Sequence, residues 1–341
     1  MVRKDMESRK VQKTGVSTIT VSLPKEWVSA NKLKAGDQVN VEVQTDGSLV
    51  IDPKERKKGE PVRSVVQVER DEPTEHLTRK LIGAYLAGFN IIEVRSKERM
   101  GLDTKHAVKD FARLVIGPEV IEETSNSVVM HDLSDPVELP QKKCVRRMHL
   151  IVESMHRDAV TAFDNGDEGL AKDVIDRDQD VDRLYWMTVK QFNLIQKDRS
   201  LADKIGVDIY DSMSLMLVAR MMERIGDHAE KIAKLAVGTL EQRASEKDMA
   251  RVKKLSEEAL DVLARSVEAF FLHDINASNN TIDRALKLAQ DAGALMPALQ
   301  VSANKGAAIK ASFLDSIIRT IMYSADIAEL AINDGMRLEK T

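Results

Sequence analysis

Between residues 140 and 338, apolar side chains recur at helical spacing in six successive stretches, which limits the folds open to this chain more than any other feature. Met148, Ile151, Val152, Met155, Ala159, Ala162 and Phe163 share one face of a helix that stops near Asn165-Gly166. A second helix is expected from Glu168 to about Lys197, and a third from about Val207 to Leu240. The pattern then returns over Arg251–Leu272, Ser278–Leu299 and Ala307–Asn333. Two sets of three helices, each spanning about 100 residues, point to a tandem of three-helix bundles. Composition agrees. Aromatic residues are only 4% of the chain, and the plentiful Leu, Ala, Met, Glu, Lys and Arg lose little rotamer freedom in helices.

The 341 residues suffice for two or three domains. A lone cysteine, Cys144, excludes an internal disulfide framework and any multi-cysteine zinc site, and it fits a reducing cytoplasm. The opening MVRKDMESRK is too polar for a secretory signal. No apolar run approaches the roughly 18 residues of a membrane span, so a soluble cytoplasmic protein without direct membrane insertion is expected. Its net charge of −4 is uneven: residues 1–60 carry +3 and the remainder −7. A basic tip on an acidic body suits a local polyanion site.

Residues 7–53 read as β-structure with one short helix. Val16–Ser22 alternates apolar and hydroxyl residues as a half-buried strand does. Pro24 opens a short helix, Lys25 to Ala30, at a position where its missing N–H is harmless. Gly36-Asp37 leads into an alternating strand over Gln38–Val43, and Asp46-Gly47 is a hairpin signal before Leu49-Val50-Ile51. So few apolar positions cannot bury a core alone, and such a unit calls for a second copy. The order "TITVSLPKEW", "LKAGDQVNVEV", "DGSLVI" resembles the swapped-hairpin domain of the AbrB/SpoVT/MazE type. The resemblance implies an intertwined homodimer that binds DNA through Arg9, Lys10, Lys13 and Lys25, with Arg3 and Lys4 as an added arm. Contacts of this kind go mostly to phosphate and are salt-sensitive. The bland alternative is a solvated face of a dimerisation unit.

The organisation expected is a β-rich head over 1–54, a charged linker over 55–61, a small α/β domain over 62–138 and a helical domain over 139–341. The helical repeats cover about 140–242 and 248–338. The α/β domain alternates a strand at Val65–Val68, a helix from Thr74 to Gly88, a strand at Asn90–Val94, a helix over Asp103–Val115 and a hairpin around Ser125-Asn126. It has no glycine-rich phosphate loop, and both a linking and a ligand role stay open. The fold class is therefore mostly α with an N-terminal β part.

The sharpest chemical feature is two pairs of acids four residues apart, Asp178/Asp182 and Glu223/Asp227. Each pair lies one turn apart on one helix face, where like charges repel. If the second and third helices are neighbours, four carboxylates converge on an oxygen-rich site for a hard cation, or for iron or zinc, with His228 beside it. The alternative is ordinary ion pairing with Arg220, Arg224 and Lys231. "VIDRDQDVDRLYWMTVKQF" and "LVARMMERIGDHAEKIAKLA" are similar to the two signature helices of PhoU, the phosphate-uptake regulator.

That resemblance implies an iron or zinc cluster on Asp178, Asp182, Glu223 and Asp227. In the second repeat Met322 and Lys287 stand where acids are expected, beside Asp326 and Asp291, so at most one cluster per chain is expected, in the first repeat. A head joined to such a body resembles the PhoU-type regulators of archaea. The function implied is a transcriptional regulator of phosphate uptake whose partners are DNA and phosphate ABC transporter subunits or an associated signalling protein. The alternative is an adaptor that does not bind DNA but docks on the transporter and inhibits it, with Met148, Met155, Met213 and Met216 as adaptable contacts. No nucleophile–base pairing, nucleophile elbow or P-loop is present, so no enzyme is expected.

Overall fold

A computed structural model describes residues 7–43, 47–53, 61–237, 246–296 and 305–339. The chain divides into two units, Met1–Pro61 and Val62–Thr341. Arg3, Lys4, Asp46, the linker before Pro61, and the expected helix ends at Leu240 and Leu299 lie outside the described residues.

In the first unit the chain turns at Gly15, whose φ of +74° favours glycine. The turn pairs strand β1 (Gln12–Thr14) antiparallel with β2 (Thr18–Thr20), Gln12 opposite Thr20. One strand over Val16–Ser22 was expected here. The structure instead shortens it and adds β1, a Gln-Lys-Thr stretch whose side chains carry no apolar alternation. Pro24 precedes helix α1 (Lys25–Ala30) as expected, and β3 (Asn40–Val43) pairs antiparallel with β4 (Leu49–Asp52). Among the described residues of this unit, none is buried. Val43 is 73% exposed and Ile19 70%, and Val16 in the turn between β1 and β2 is 92% exposed, which leaves apolar side chains uncovered within one chain.

In the second unit, β5 (Arg63–Val68) runs parallel to β6 (Ile91–Ser96) through the crossover helix α2 (Thr74–Leu86). Helix α3 (Leu102–Leu114) leads to the antiparallel hairpin β7 (Pro118–Glu123) and β8 (Ser127–Asp132), giving the strand order β5-β6-β8-β7. Val66, Val94, Val128 and Met130 of the sheet pack with Leu77, Leu81, Tyr85 and Phe111 of the two helices.

The helical body follows. Helix α4 (Gln141–Asn165) ends at Gly166 in the left-handed conformation, and Asp167 caps α5 (Glu168–Lys197) by accepting from the Leu170 N–H. A short α6 (Arg199–Ile205), absent from the sequence reading, precedes α7 (Ile209–Ala236). Helices α4, α5 and α7 form one bundle, and α8 (Glu246–Leu272), α9 (Ile275–Gly293) and α10 (Lys305–Leu338) a second. The two meet through α7 against α10 and α4 against α8. Buried Gln141 ties the first bundle: its amide donates to the carbonyls of Thr188 and Ser212 and accepts from the Ser212 hydroxyl. Met148 and Met155 are fully buried core residues, so they present no contact surface, whereas Met213 is exposed.

Helix α5 also fastens the α/β layer. Lys190 forms an ion pair with Asp132 at the end of β8, both side chains almost wholly buried, and donates to Ser134 Oγ at 3.1 Å. The Tyr85 ring lies 4.6 Å below the same ammonium, and Gly117 leaves the room Asp132 occupies. Asn193 and Lys197 donate to the carbonyls of Leu86 and Ala87 at the end of α2. Replacing Lys190 by Met leaves Asp132 buried without its cation, and a loss of about 3–5 kcal/mol is expected in urea unfolding. The double variant Lys190→Met/Asp132→Asn is expected to recover part of it.

Candidate metal site and polyanion-binding face

Asp178 and Asp182 project from α5, and Glu223 and Asp227 from α7, one turn apart on each helix. The helices approach closely because residue 226 is glycine: a Cβ there would sit 3.2 Å from Asp178 Oδ1. All four acids act on one another electrically. Burial first, then repulsion from Asp182, Glu230, Asp227 and Glu223, pushes Asp178 up to about 7. Asp182 rises to about 6 through burial and the charges of Asp227 and Glu230, against the opposing pull of Arg220. Glu223 rises to about 7 through burial and Asp227, against the opposing pull of Arg220 and Arg224.

Counter-charge is one-sided. Arg220 donates to Glu223 Oε1 at 2.9 Å, and Arg224 to Asp227 Oδ2 at 3.0 Å. Arg224 also stands 3.6 Å from Glu223 Oε2, an ion-pair distance, yet that buried oxygen makes no hydrogen bond. Asp178 and Asp182 have no ion pair among the described residues. Lys231, the third cation weighed for α7, instead pairs with Asp315 of α10 at 3.6 Å. His228 turns the same way, its Nδ1 3.3 Å from Ser316 Oγ, so it faces away from the acids. Glu230 was missed in the sequence. With Glu223 and Asp227 it completes an i, i+4, i+7 face on α7, a spacing that could have revealed it.

The donor set suits a hard or borderline cation: oxygen ligands, desolvated, short of positive charge, with Glu223 Oε2 buried and unbonded. Among the described residues, however, no three His, Cys, Asp or Glu side chains surround a common point as a ready-made shell. Binding would therefore need the side chains to close in. In the second bundle Lys287 and Asp291 are exposed, and the carboxylate that acts on half-buried Asp326 is Glu329 of its own helix.

In the first unit Lys13 lies on β1, Arg9 and Lys10 just before it, and Lys25 opens α1, all four exposed. Arg9 is partly neutralised by Glu7 at 2.5 Å.

A basic two-hairpin unit with no buried residue among those described and a bundle carrying paired acids define a two-part protein. Residues 145–236 match the family model of the PhoU domain. Residues 12–59 match that of the antidote-toxin recognition MazE, a bacterial antitoxin. The chain thus carries one segment similar to a PhoU domain and, ahead of it, one similar to a MazE-type antitoxin domain. It is 27% identical over 155 residues to a phosphate-specific transport system accessory protein PhoU homolog of Pseudomonas putida, covering 42% of this chain and 59% of that one. With the homolog of Pseudomonas aeruginosa it shares 28% over 156 residues, 42% and 62% of the two chains. The matched part thus spans about three-fifths of these relatives. Crystal structures of PhoU from P. aeruginosa (TM-score 0.48, 21% identity, covering 59% of this chain and 97% of that one) and Streptococcus pneumoniae (0.43, 19%, 56% and 91%) are also similar.

The raised acids make a signed prediction. Unfolded carboxyls release their protons near pH 4, whereas folded Asp178, Asp182 and Glu223 hold theirs to about pH 6–7. Stability of the chelator-treated protein is therefore highest at the acid end of that window and declines as pH rises through it. Melting temperature measured from pH 5 to pH 8 is expected to fall more steeply in the wild type than in Asp178→Asn.

Proposed function

We propose that this protein is a cytoplasmic, homodimeric transcriptional regulator of phosphate uptake, and not an enzyme. Its head binds DNA, while its PhoU-type body reads a transporter, an associated signalling protein or metal status. The observation that carries the reading is one chain holding both an unburied basic β-unit and a PhoU domain. A second copy would cover the exposed apolar residues Val16 in the β1–β2 turn and Ile19, Val41 and Val43 on the strands, which supports the dimer. Arg9, Lys10, Lys13 and Lys25 would then be displayed twice, a doubled basic surface for phosphate oxygens. Asp178, Asp182, Glu223 and Asp227 would hold iron or zinc, which supplies the positive charge that the α5 acids lack. No helix among the described residues is long and apolar enough to cross a membrane.

One observation favours the adaptor reading: Ile209, Tyr210 and Met213 expose an apolar strip at the start of α7. Co-purification with phosphate ABC transporter subunits that is unchanged by head variants would support it.

Mobility-shift titration on promoter-sized DNA tests the leading reading. Retardation is expected at about 50 mM salt and is expected to weaken by several orders of magnitude near 200 mM. Lys10→Ala/Lys13→Ala is expected to lower affinity at least tenfold with a shallower salt dependence. Absence of retardation at low salt would remove the DNA-binding role.

A further inference from the structure

Helices α2 and α3 pack on one face of the β5-β6-β8-β7 sheet, where Val66, Val94, Val128 and Met130 meet them. Side chains alternate along a strand, so the other face carries Arg63 and Val65 of β5, Glu93 and Arg95 of β6, Val129 of β8 and Glu119 of β7. The register sets them in rows. Arg63, Ile91, His131 and Glu119 stand side by side. Val65, Glu93, Val129 and Glu122 form the next row, with Ile121 the additional residue of the β7 bulge. Val65 is 43% exposed and Ile121 57%, at opposite edges of the sheet.

Charge on this face is polarised. Arg95 Nε donates to Oε1 of buried Glu93 at 2.8 Å, and Arg63 Nε lies 3.5 Å from its Oε2. Two guanidinium groups on one carboxylate leave the β5–β6 half net positive. Glu119 and Glu122 on β7 have no ion pair among the described residues, so that edge is negative. Their neighbour Glu123 turns to the helix side and pairs with Lys105 and Lys109 of α3. A face with opposite charge at its two edges can be stacked on a copy of itself in two ways. A two-fold axis parallel to the strands sets β5 of each chain over β7 of the other, with Arg63 against Glu119 and Val65 against Ile121. An axis across the strands sets β7 over β7 and opposes acid to acid.

Resting on the homodimer reading, we propose that this open sheet face is a second contact between the two chains, with β5 of one stacked over β7 of the other. Four strands of six residues give a face on the order of 400 Å² from the strand spacings, about half of one partner's share of a standard interface. Alone it is too small to hold a stable dimer. It closes between chains already joined at the head, and its charge pattern fixes which way the two α/β domains meet.

The test uses the full chain carrying Val65→Cys and Glu122→Cys, treated with a short bis-maleimide and run on a denaturing gel, with the native mass measured beforehand. Native Cys144 is buried and stays silent. Within one chain the two positions lie three strand spacings apart, about 14 Å, whereas between stacked sheets they face each other across about 10 Å. A covalent dimer is expected from the double variant and not from either cysteine variant alone. Adding Arg63→Glu sets acid against acid and is expected to cut the yield at least fivefold, and Arg63→Glu/Glu119→Arg is expected to restore it. All four substituted side chains are exposed, so the variants are expected to keep the wild-type circular dichroism. A dimer by mass that gives no covalent product would overturn this proposal alone. So would equal product from a single cysteine variant, a yield indifferent to Arg63→Glu, or a charge swap that fails to restore it. A monomer by mass would overturn the homodimer reading, and the proposal with it.

Discussion

Repulsion among carboxylates set into the seam of a helical bundle is the constraint around which the rest of this molecule is arranged. Asp178 and Asp182 lie beside Val181, with Glu223 flanked by Met222 and Ile225, and those three apolar side chains are fully buried. In such surroundings like charges are screened far less than in water. A bundle that needed only stability would fill these positions with apolar residues. Gly226 sharpens the point: it sacrifices helix propensity and brings Asp178 against α7. Arginines on α7 offset part of the repulsion, Arg220 acting on Asp182 as well as on Glu223, and Asp178 is left least balanced. The arrangement makes physical sense as a place that responds to added positive charge, whether protons or a metal ion.

Helix α5 gives that response a structural route. Its first half carries the unbalanced acids, and its second half carries Lys190, Asn193 and Lys197, which clasp the α/β layer through Asp132, Leu86 and Ala87. Trp186, between these halves, packs against the core of the α/β domain. A 30-residue helix is stiff at this length, so α5 belongs mechanically to both layers. The α/β domain is therefore best understood as an element fastened to the acidic helix. The head differs in kind: with no buried residue among those described, it depends on something outside its own chain for a core.

Much of this was legible in the sequence because the signals are local. The helix expected from Glu168 to about Lys197 spans Glu168–Lys197, since Asp167 and Gly166 punctuate its start and its apolar residues keep one period. The β5–β8 elements and their helices fell within a few residues of expectation for the same reason. What escaped was either featureless or long-range. Strand β1 is Gln-Lys-Thr and pairs through its backbone, so no side-chain pattern announces it. The Lys190–Asp132 pair joins residues far apart in sequence, and neither looks unusual where it stands. At the acidic site the motif pairs were visible, but Glu230 was not, because a carboxylate three residues past Asp227 also fits an ordinary solvated helix face. The ion pairing that spacing offered holds for Arg220 and Arg224, each bonded to an acid three residues on, whereas only packing shows that Lys231 and His228 turn to α10.

The most direct measurement of the central claim is anomalous diffraction from crystals of the Mn²⁺-loaded protein, collected at the manganese edge. The account predicts a peak between α5 and α7 within coordination distance of Asp178 and Asp182. A peak confined to other helices, or a site in which lysine or arginine side chains neutralise both α5 carboxylates and no metal is present, would contradict it.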